Sequence, residues 1–295
     1  MRVQSADHRS GFAPEVSREA VRALRPYVPG TSIEEVQRDL GLRTVIKLAS
    51  NENPLGSSPK ALAALGNLDR LNLYFDDAHT ELRERLAAPH GLDAENVVLG
   101  HGSNELVNIV AQTTLEPGDE AIAAAPSFSL YPLATKLQGA KIVEVPLDAG
   151  GVHDLDAMLA AITPRTKLIF ICDPNNPTGT ALEPQAWDAF LARVPEHITV
   201  LVDQAYREYM RAGTVDGIAA VKRRARTIVL RTMSKIYGLA SLRFGYGYAD
   251  SQTVEFLNRV RLPFNVSRPA AVGARAAIED DAFVQSSIEM NEAGK

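Results

Sequence analysis

Short apolar segments alternate with amphipathic segments over most of this chain, and this alternation restricts the fold more than any other feature. The alternation predicts strands at residues 45–50, 97–100, 120–126, 141–146, 167–172, 199–203, 227–231 and 244–249. Helices are predicted between them, for example from Ser103 to about Thr114. Apolar strands that alternate with amphipathic helices form a mostly parallel sheet covered on both faces. The expected fold is therefore α/β.

The composition excludes several classes of protein. The 31 Lys and Arg against 36 Asp and Glu give a net charge of −5, whereas a general binder of nucleic acid or anionic membrane would carry a basic excess. A single cysteine, Cys172, excludes an intramolecular disulfide and a multi-cysteine zinc site. The histidines show no metal-binding spacing, so no metal is expected. The polar N-terminus lacks the apolar core of a signal peptide, and a cytoplasmic location is expected.

Four polar motifs follow predicted strands, which is where parallel sheets bind their ligands. They are GHGSNEL (100–106), DPNNPTG (173–179), DQAY (203–206) and the SK pair at 234–235. Because the carboxyl ends of parallel strands meet at one edge of a sheet, these motifs are expected to lie together.

Lys235 lies between a strand end and a stretch rich in Gly, Ala and Ser. A lysine in a partly desolvated site has a lowered pKa and can form a Schiff base with a carbonyl. Ser234 and Arg243 supply a hydroxyl donor and a planar fork, which suit a phosphate. The alternative is a surface lysine beside a structural arginine.

Two further motifs carry groups that could hold a heterocyclic ring. A carboxylate at the end of a buried strand is costly unless it is paired, so Asp203 requires a cation or caps the following turn. Tyr206 could reach the same place. In DPNNPTG, two prolines and Gly179 make a rigid turn that presents an Asn side chain, although a bare turn has the same pattern.

In GHGSNEL, Gly100 and Gly102 free the backbone before a helix that starts at Ser103. Helix N-termini bind phosphate through their free N–H groups, although a plain capped helix is the alternative. No GK[ST] follows, so this is not a Walker loop. A reactive lysine, a phosphate cradle, an Asp for a ring nitrogen and Asn plus Tyr for a phenolic oxygen together describe a pyridoxal-phosphate site.

An ordered series of motifs resembles the fold-type-I pyridoxal-phosphate-dependent aminotransferases, in particular the histidinol-phosphate aminotransferase group. The series consists of RPYVPGTSIEEVQRDLGL (25–42), KLASNENPLGSSPKAL (47–62), GSNEL, DPNNPTG, VDQAY, TMSKIYGLASLRFGY (232–246) and RLPFNVS (261–267). The resemblance covers most of the chain. It is more specific for the fold and cofactor than for the substrate, because aromatic aminotransferases and threonine-phosphate decarboxylase have similar motifs.

The resemblance implies roles for the residues around the cofactor ring. Lys235 would hold pyridoxal 5'-phosphate as a Schiff base and move a proton during the reaction. Asp203 would pair with the pyridinium nitrogen. Asn176 and Tyr206 would hydrogen-bond to the ring oxygen. Phe128, in APSFSLY, would stack on the ring face.

The resemblance also implies roles beyond the ring. Ser103, the backbone of Asn104, Ser234 and Arg243 would hold the phosphate. Tyr74, in LNLYFDD, would reach the cofactor phosphate of a partner subunit, so a homodimer is expected.

Two more positions match residues that line the substrate pocket of the family. They are Tyr27 and Asn53. Either could instead be structural, Tyr27 by packing in the Pro-rich arm and Asn53 by bracing a turn.

The resemblance divides the chain into three parts. Residues 1–46 would form an N-terminal arm and part of a small domain, and residues 47–265 the large cofactor-binding α/β domain. Residues 266–295 would begin a C-terminal small domain, of which the rest, with the arginine that grips the substrate, is absent from this sequence.

The function that the resemblance implies is transamination between histidinol phosphate, or an aromatic amino acid, and 2-oxoglutarate by a ping-pong mechanism. A decarboxylase of the threonine-phosphate type is the first alternative. A cofactor-binding fragment without turnover is the second.

Overall fold

A computed structural model describes residues 17–22, 24, 30–210 and 214–295 of the chain. Seven strands in this part form one sheet. They are β1 (Val97–Gly100), β2 (Glu120–Ala125), β3 (Lys141–Pro146), β4 (Thr166–Cys172), β5 (Thr199–Asp203), β6 (Thr227–Thr232) and β7 (Gly245–Tyr248).

The strand order is β1-β7-β6-β5-β4-β2-β3. Strand β7 is antiparallel to both of its neighbours, and every other pair is parallel. Strands β1, β4, β5 and β6 therefore end at the same edge of the sheet, and β7 begins there. This sheet confirms the mostly parallel α/β fold that the alternating pattern predicts.

The described residues also form twelve α-helices, five of them between strands. They are α1 (Glu19–Arg22), α2 (Ile33–Leu40), α3 (Pro59–Gly66), α4 (Thr80–Ala87), α5 (Ser103–Thr114), α6 (Leu130–Leu137), α7 (Leu155–Ala160), α8 (Pro184–Arg193), α9 (Gly217–Arg223), α10 (Ser251–Val260), α11 (Arg268–Ala277) and α12 (Asp281–Gly294). Helix α5 begins and ends where the sequence predicts. No helix in the described ranges is long and apolar enough to cross a bilayer.

The core consists of two apolar layers, one on each face of the sheet. Strand β4 shows why, because Ile169 and Ile171 join one layer while Leu168 and Phe170 join the other. Successive side chains of a strand point to opposite faces, so a strand apolar throughout needs cover on both.

The predicted strand at residues 45–50 is wrong. These residues pair with no strand of the sheet, and the segment ends in a short 3₁₀ helix, Ala49–Asn51. Its apolar side chains are largely exposed, Ile46 at 82% and Leu48 at 88%. A short apolar run forms a strand only when a neighbouring strand is free to pair with it. The local sequence pattern does not show whether such a partner exists.

Candidate active site

A cleft of about 740 Å³ opens at the edge of the sheet where β4, β5 and β6 end. Its lining includes Ser103, Asn104, Phe128, Asn176, Asp203, Tyr206, Ser234, Lys235 and Arg243. The structure thus brings together side chains from all four strand-end motifs.

Lys235 lies three residues beyond the end of β6 and is half-buried. Its Nζ donates a hydrogen bond to the Ser50 carbonyl at 2.8 Å and lies 5.7 Å from the centre of the Tyr206 ring. Burial lowers the pKa of Lys235 below its ordinary value. The lysine therefore holds a larger neutral, nucleophilic fraction at a given pH than an exposed lysine does.

Asp203 is the last residue of β5 and is 3% exposed. Its Oδ2 accepts a hydrogen bond from the Tyr131 hydroxyl at 2.9 Å, and its Oδ1 accepts one from the Ala205 N–H at 3.1 Å. Burial raises the pKa of Asp203 to about 6. A cation placed in the cleft beside this carboxylate would be stabilised by it, because few competing waters reach a buried charge.

Tyr206, Asn176 and Phe128 line the cleft beside the carboxylate. The Tyr206 hydroxyl accepts a hydrogen bond from Asn51 Nδ2 at 2.8 Å. Phe128 packs edge to face against Tyr131, with 5.6 Å between ring centroids. The cleft thus offers an amide, a phenol and an aromatic face within one cavity.

Strand β1 leads through a turn into α5, whose first two residues, Ser103 and Asn104, line the cleft. The residue before the helix, Gly102, has a positive φ of 80° and no side chain with which to cap it. A Cβ on Gly102 would lie 2.5 Å from Arg243 Nη2, and one on Gly245 would lie 2.3 Å from Ser103 N. Backbone and guanidinium approach this closely only because both positions are glycine.

Arg243 and Ser234 complete this end of the cleft. Arg243 Nη1 donates to the Ala240 carbonyl at 3.0 Å and lies 3.4 Å from Ser234 Oγ. A guanidinium, two serine hydroxyls and the first N–H groups of a helix form a set of donors that suits a phosphate dianion.

Two predicted site residues, Asn53 and Tyr74, do not line the cleft. Asn53 uses its amide for structure, since Nδ2 donates to the Ile236 carbonyl and to Ser287 Oγ, both at 2.8 Å. Tyr74 is 82% exposed and packs against Phe264, with 4.5 Å between ring centroids. Tyr27 lies outside the described residues. The roles of these three residues stay predictions.

Two residues of the cleft region were not anticipated from the sequence. Tyr131 buries its ring and holds Asp203, and Asn51 holds Tyr206. Phe128 lies two residues before α6, and Tyr131 follows it by three residues on the first turn of that helix. That three-residue spacing is the sequence feature from which Tyr131 could have been predicted.

The residues of the cleft fit pyridoxal phosphate. This molecule carries an aldehyde, a ring nitrogen, a phenolic oxygen and a phosphate. Lys235, Asp203, the Asn176–Tyr206 pair and the glycine-lined cradle at Ser103 offer each group a partner of matching chemistry. A metal is not needed for this fit, and no cluster of ligating side chains suited to a metal ion occurs in the part of the chain that the structure describes.

Comparison with known proteins gives a family. Residues 43–294 match the sequence model of the aminotransferase class I and II family. The chain is 50% identical over 281 residues to a histidinol-phosphate aminotransferase of Moorella thermoacetica, a match that covers 94% of this chain and 72% of that protein. It is 45% identical over 279 residues to the Bacillus velezensis histidinol-phosphate aminotransferase, covering 94% and 78%.

A solved structure with a similar fold supports this assignment. The crystal structure of histidinol-phosphate aminotransferase from Sinorhizobium meliloti, in complex with pyridoxal 5'-phosphate, superposes with a TM-score of 0.84 at 25% identity, covering 96% of this chain and 74% of that one. With its fold, its cleft chemistry and its sequence relatives in agreement, this chain belongs to the class I and II aminotransferases.

Proposed function

We propose that this chain binds pyridoxal 5'-phosphate at Lys235 and transfers the amino group of histidinol phosphate to 2-oxoglutarate. The observation that carries this proposal is the position of Lys235 and Asp203 in one cleft, with a phosphate cradle at its end. Relatives named histidinol-phosphate aminotransferase, at 50% and 45% identity, support the choice of amino donor. When bound, pyridoxal phosphate supplies an electron sink that stabilises negative charge at the α carbon of an amino substrate.

The cradle binds the phosphate of the cofactor in this proposal. Ser103 and Asn104 direct backbone N–H groups of α5 toward it, and the helix dipole favours negative charge there. Ser234 donates a hydroxyl, and Arg243 donates a charge-assisted pair of hydrogen bonds. Together they fix one end of the ring and so determine where its reactive carbon lies.

Asp203 holds a proton on the ring nitrogen. Burial raises the pKa of its carboxyl to about 6, and a cation beside it would lower that pKa and favour the ionised form. Tyr131 and the Ala205 N–H orient the carboxylate from behind.

Asn176 and Tyr206 bind the phenolic oxygen, and Phe128 covers one face of the ring and excludes water from it. The Tyr206 hydroxyl accepts from Asn51 in the structure, and its own O–H can still donate to the phenolic oxygen. To hold the cofactor, Lys235 would give up its hydrogen bond to the Ser50 carbonyl. The Ser50 carbonyl therefore holds the Lys235 amine until the cofactor binds.

Lys235 has two tasks. Its neutral amine attaches the cofactor, and the lowered pKa that burial gives it increases the fraction ready to do so. With an amino substrate in the cleft, Nζ would be the base that takes the proton from the substrate α carbon.

A second copy of this chain is the proposed partner. The surface around Tyr74 exposes large apolar side chains from two adjacent segments, including Leu73 at 54%, Leu262 at 68% and Phe264 at 47%. The Tyr74–Phe264 ring contact joins the two segments. Apolar side chains grouped in this way are typical of an interaction surface, and a homodimer would bring Tyr74 to the partner's cofactor.

The test is a visible absorption spectrum of the purified chain with pyridoxal phosphate, before and after histidinol phosphate is added. A band from the lysine-bound cofactor is expected, and it should shift when the donor is added and return with 2-oxoglutarate. Lys235→Ala should abolish the band, whereas Lys136→Ala, a change at an exposed lysine on α6, should keep it.

Other outcomes identify other functions. A band that ignores histidinol phosphate but responds to an aromatic amino acid would change the donor. Release of carbon dioxide from threonine phosphate without a keto acid would favour the decarboxylase. A band that no donor shifts would leave a cofactor-binding chain without turnover, and a wild-type chain without any band would refute the proposal.

A further inference from the structure

The loop at the phosphate end of the cleft, residues 100–102, is held from outside the cleft by a single carboxylate. Glu105 Oε2 accepts a hydrogen bond from the His101 N–H at 2.6 Å and another from Asn265 Nδ2 at 2.5 Å. Glu105 lies on the first turn of α5, and Asn265 lies in the segment that follows α10. One oxygen atom thus joins the loop before α5 to a segment 160 residues away in the sequence.

From Asn265 the contacts continue to an ion pair. Arg261 Nη1 donates to Asn265 Oδ1 at 2.7 Å, and the two Nη atoms of Arg261 also donate to the two carboxylate oxygens of Asp77 at 3.0 and 2.9 Å. The Arg261 side chain is 14% exposed, so this bidentate pair is largely shielded from water. The hydrogen bond from Arg261 lowers the pKa of Asp77, which keeps the pair charged.

The amide of Asn265 has one favourable orientation in this network. Its Nδ2 faces the acceptor Glu105, and its Oδ1 faces the donor Arg261. A flipped amide would set donor against donor and acceptor against acceptor. The position of the Glu105 carboxylate is therefore determined by Arg261 and Asp77, and not only by the helix that carries it.

We propose that Glu105 is a positioning residue for the phosphate of the cofactor. By holding the His101 N–H against Asn265, it fixes the loop that leads into Ser103 and Asn104, whose N–H groups form part of the cradle. This inference rests on the proposed binding of pyridoxal phosphate in the cleft. If Glu105 only stabilised the first turn of α5, it would not need the contact with Asn265. Replacing it would then leave phosphate binding unchanged.

The test compares two ligands that differ only in the phosphate. Affinities for pyridoxal phosphate and for pyridoxal are measured by absorbance with the full chain and with two variants. Glu105→Met keeps the length of the side chain and removes the acceptor. Glu105→Gln removes the charge and keeps an oxygen that can accept both hydrogen bonds.

Glu105→Met is expected to weaken pyridoxal phosphate binding about tenfold, because the His101 N–H and Asn265 Nδ2 both lose their acceptor. Pyridoxal binding should change by less than about twofold, because the affected group is the phosphate cradle. Glu105→Gln should restore the affinity for pyridoxal phosphate to within about threefold of wild type. Glu84→Met, at an exposed glutamate on α4, is the matched control and should change neither affinity.

Asn265→Leu provides a second, independent variant should Glu105→Met fail to fold. It should weaken pyridoxal phosphate selectively in the same way, and adding it to Glu105→Met should cause little further loss, because the two residues act in one network. Equal weakening of both ligands, or no weakening of either, would overturn the inference. A wild-type chain that binds neither ligand would refute the proposed function first and this inference with it.

Discussion

The hydroxyl of Tyr131 donates a 2.9 Å hydrogen bond to Asp203 Oδ2, and this bond joins helix α6 to the end of strand β5. Tyr131 is 1% exposed, and its ring stacks on Phe170 with 4.7 Å between centroids. The other oxygen of Asp203 accepts from the Ala205 N–H. With a donor on each oxygen, the carboxylate has a fixed orientation before any ligand arrives.

The first prediction follows from that bond. Tyr131→Phe should destabilise the chain by about 1–2 kcal/mol and weaken pyridoxal phosphate binding about fivefold, because Asp203 loses a buried donor. Chemical denaturation and a cofactor titration measure the two effects. Tyr248→Phe is the matched control, since the buried Tyr248 hydroxyl donates to the Leu86 carbonyl at 2.9 Å outside the cleft. Tyr248→Phe should lower stability by a similar amount and leave cofactor affinity unchanged. Equal losses of cofactor affinity in the two variants would contradict the prediction.

The second prediction concerns the pH dependence of stability without cofactor. Burial raises the pKa of Asp203 from 3.8 to about 6, so between these values the folded chain keeps a proton that the unfolded chain has released. The folded state therefore loses stability through this group as pH rises from about 4 to 6. Asp203→Asn removes the effect, and its stability relative to wild type should rise across that window by at most about 3 kcal/mol.

Denaturation of both proteins at several pH values between 4 and 7 tests this prediction. Asp173, whose pKa burial also raises to about 6, is present in both proteins, so its contribution cancels from the comparison. If the stability difference between the two proteins stays constant or falls with pH, ionisation of Asp203 does not destabilise the folded state.

The third prediction concerns the reactivity of Lys235. Its pKa is lowered by burial from an ordinary value of 10.5, and only the neutral amine attacks a carbonyl. The rate at which pyridoxal phosphate becomes attached should rise with pH and level off around an apparent pKa below 10.5. Stopped-flow absorbance measures this rate, with the exposed Lys136→Ala variant as a control that keeps the profile. An apparent pKa equal to that of free lysine would contradict the burial of the amine.

The fourth prediction concerns the close approach of backbones at the cradle. A Cβ on Gly245 would lie 2.3 Å from Ser103 N and 2.4 Å from the Gly102 carbonyl carbon, and neither backbone atom can move without shifting the loop. Gly245→Ala should destabilise the chain by about 1–3 kcal/mol, as overpacking does. It should also weaken pyridoxal phosphate binding about tenfold through the displaced cradle.

Gly66→Ala is the matched control for Gly245→Ala. Gly66 is the last residue of α3, and a Cβ there would have no atom within 4 Å. The change should leave cofactor affinity unaltered and raise helix stability by about 0.5–1 kcal/mol. Normal cofactor binding by Gly245→Ala would show that the cradle tolerates the shift.

Much of the fold and site follows from local sequence patterns. Strand β4 is apolar from Leu168 to Cys172, so it had to be a buried strand with cover on both faces. The DPNNPTG, DQAY and SK motifs each follow such a strand, and parallel strands end at one edge, so their convergence in one cleft was predictable. The same local reasoning was wrong at residues 45–50, because pairing depends on a partner strand that the segment itself does not specify.

The sequence by itself determined the seven strands of the sheet, the edge at which the ligand motifs meet, and the chemistry of Lys235, Asp203 and Arg243. Only the tertiary structure decided which distant residues hold them. Tyr131 and Asp203 are 72 residues apart, and Glu105 and Asn265 are 160 apart. Periodicity and turn signals act over a few residues, whereas contacts of this kind depend on the strand order and on how helices pack across the sheet. Those long-range contacts determine the orientation of groups whose identity the sequence already contained.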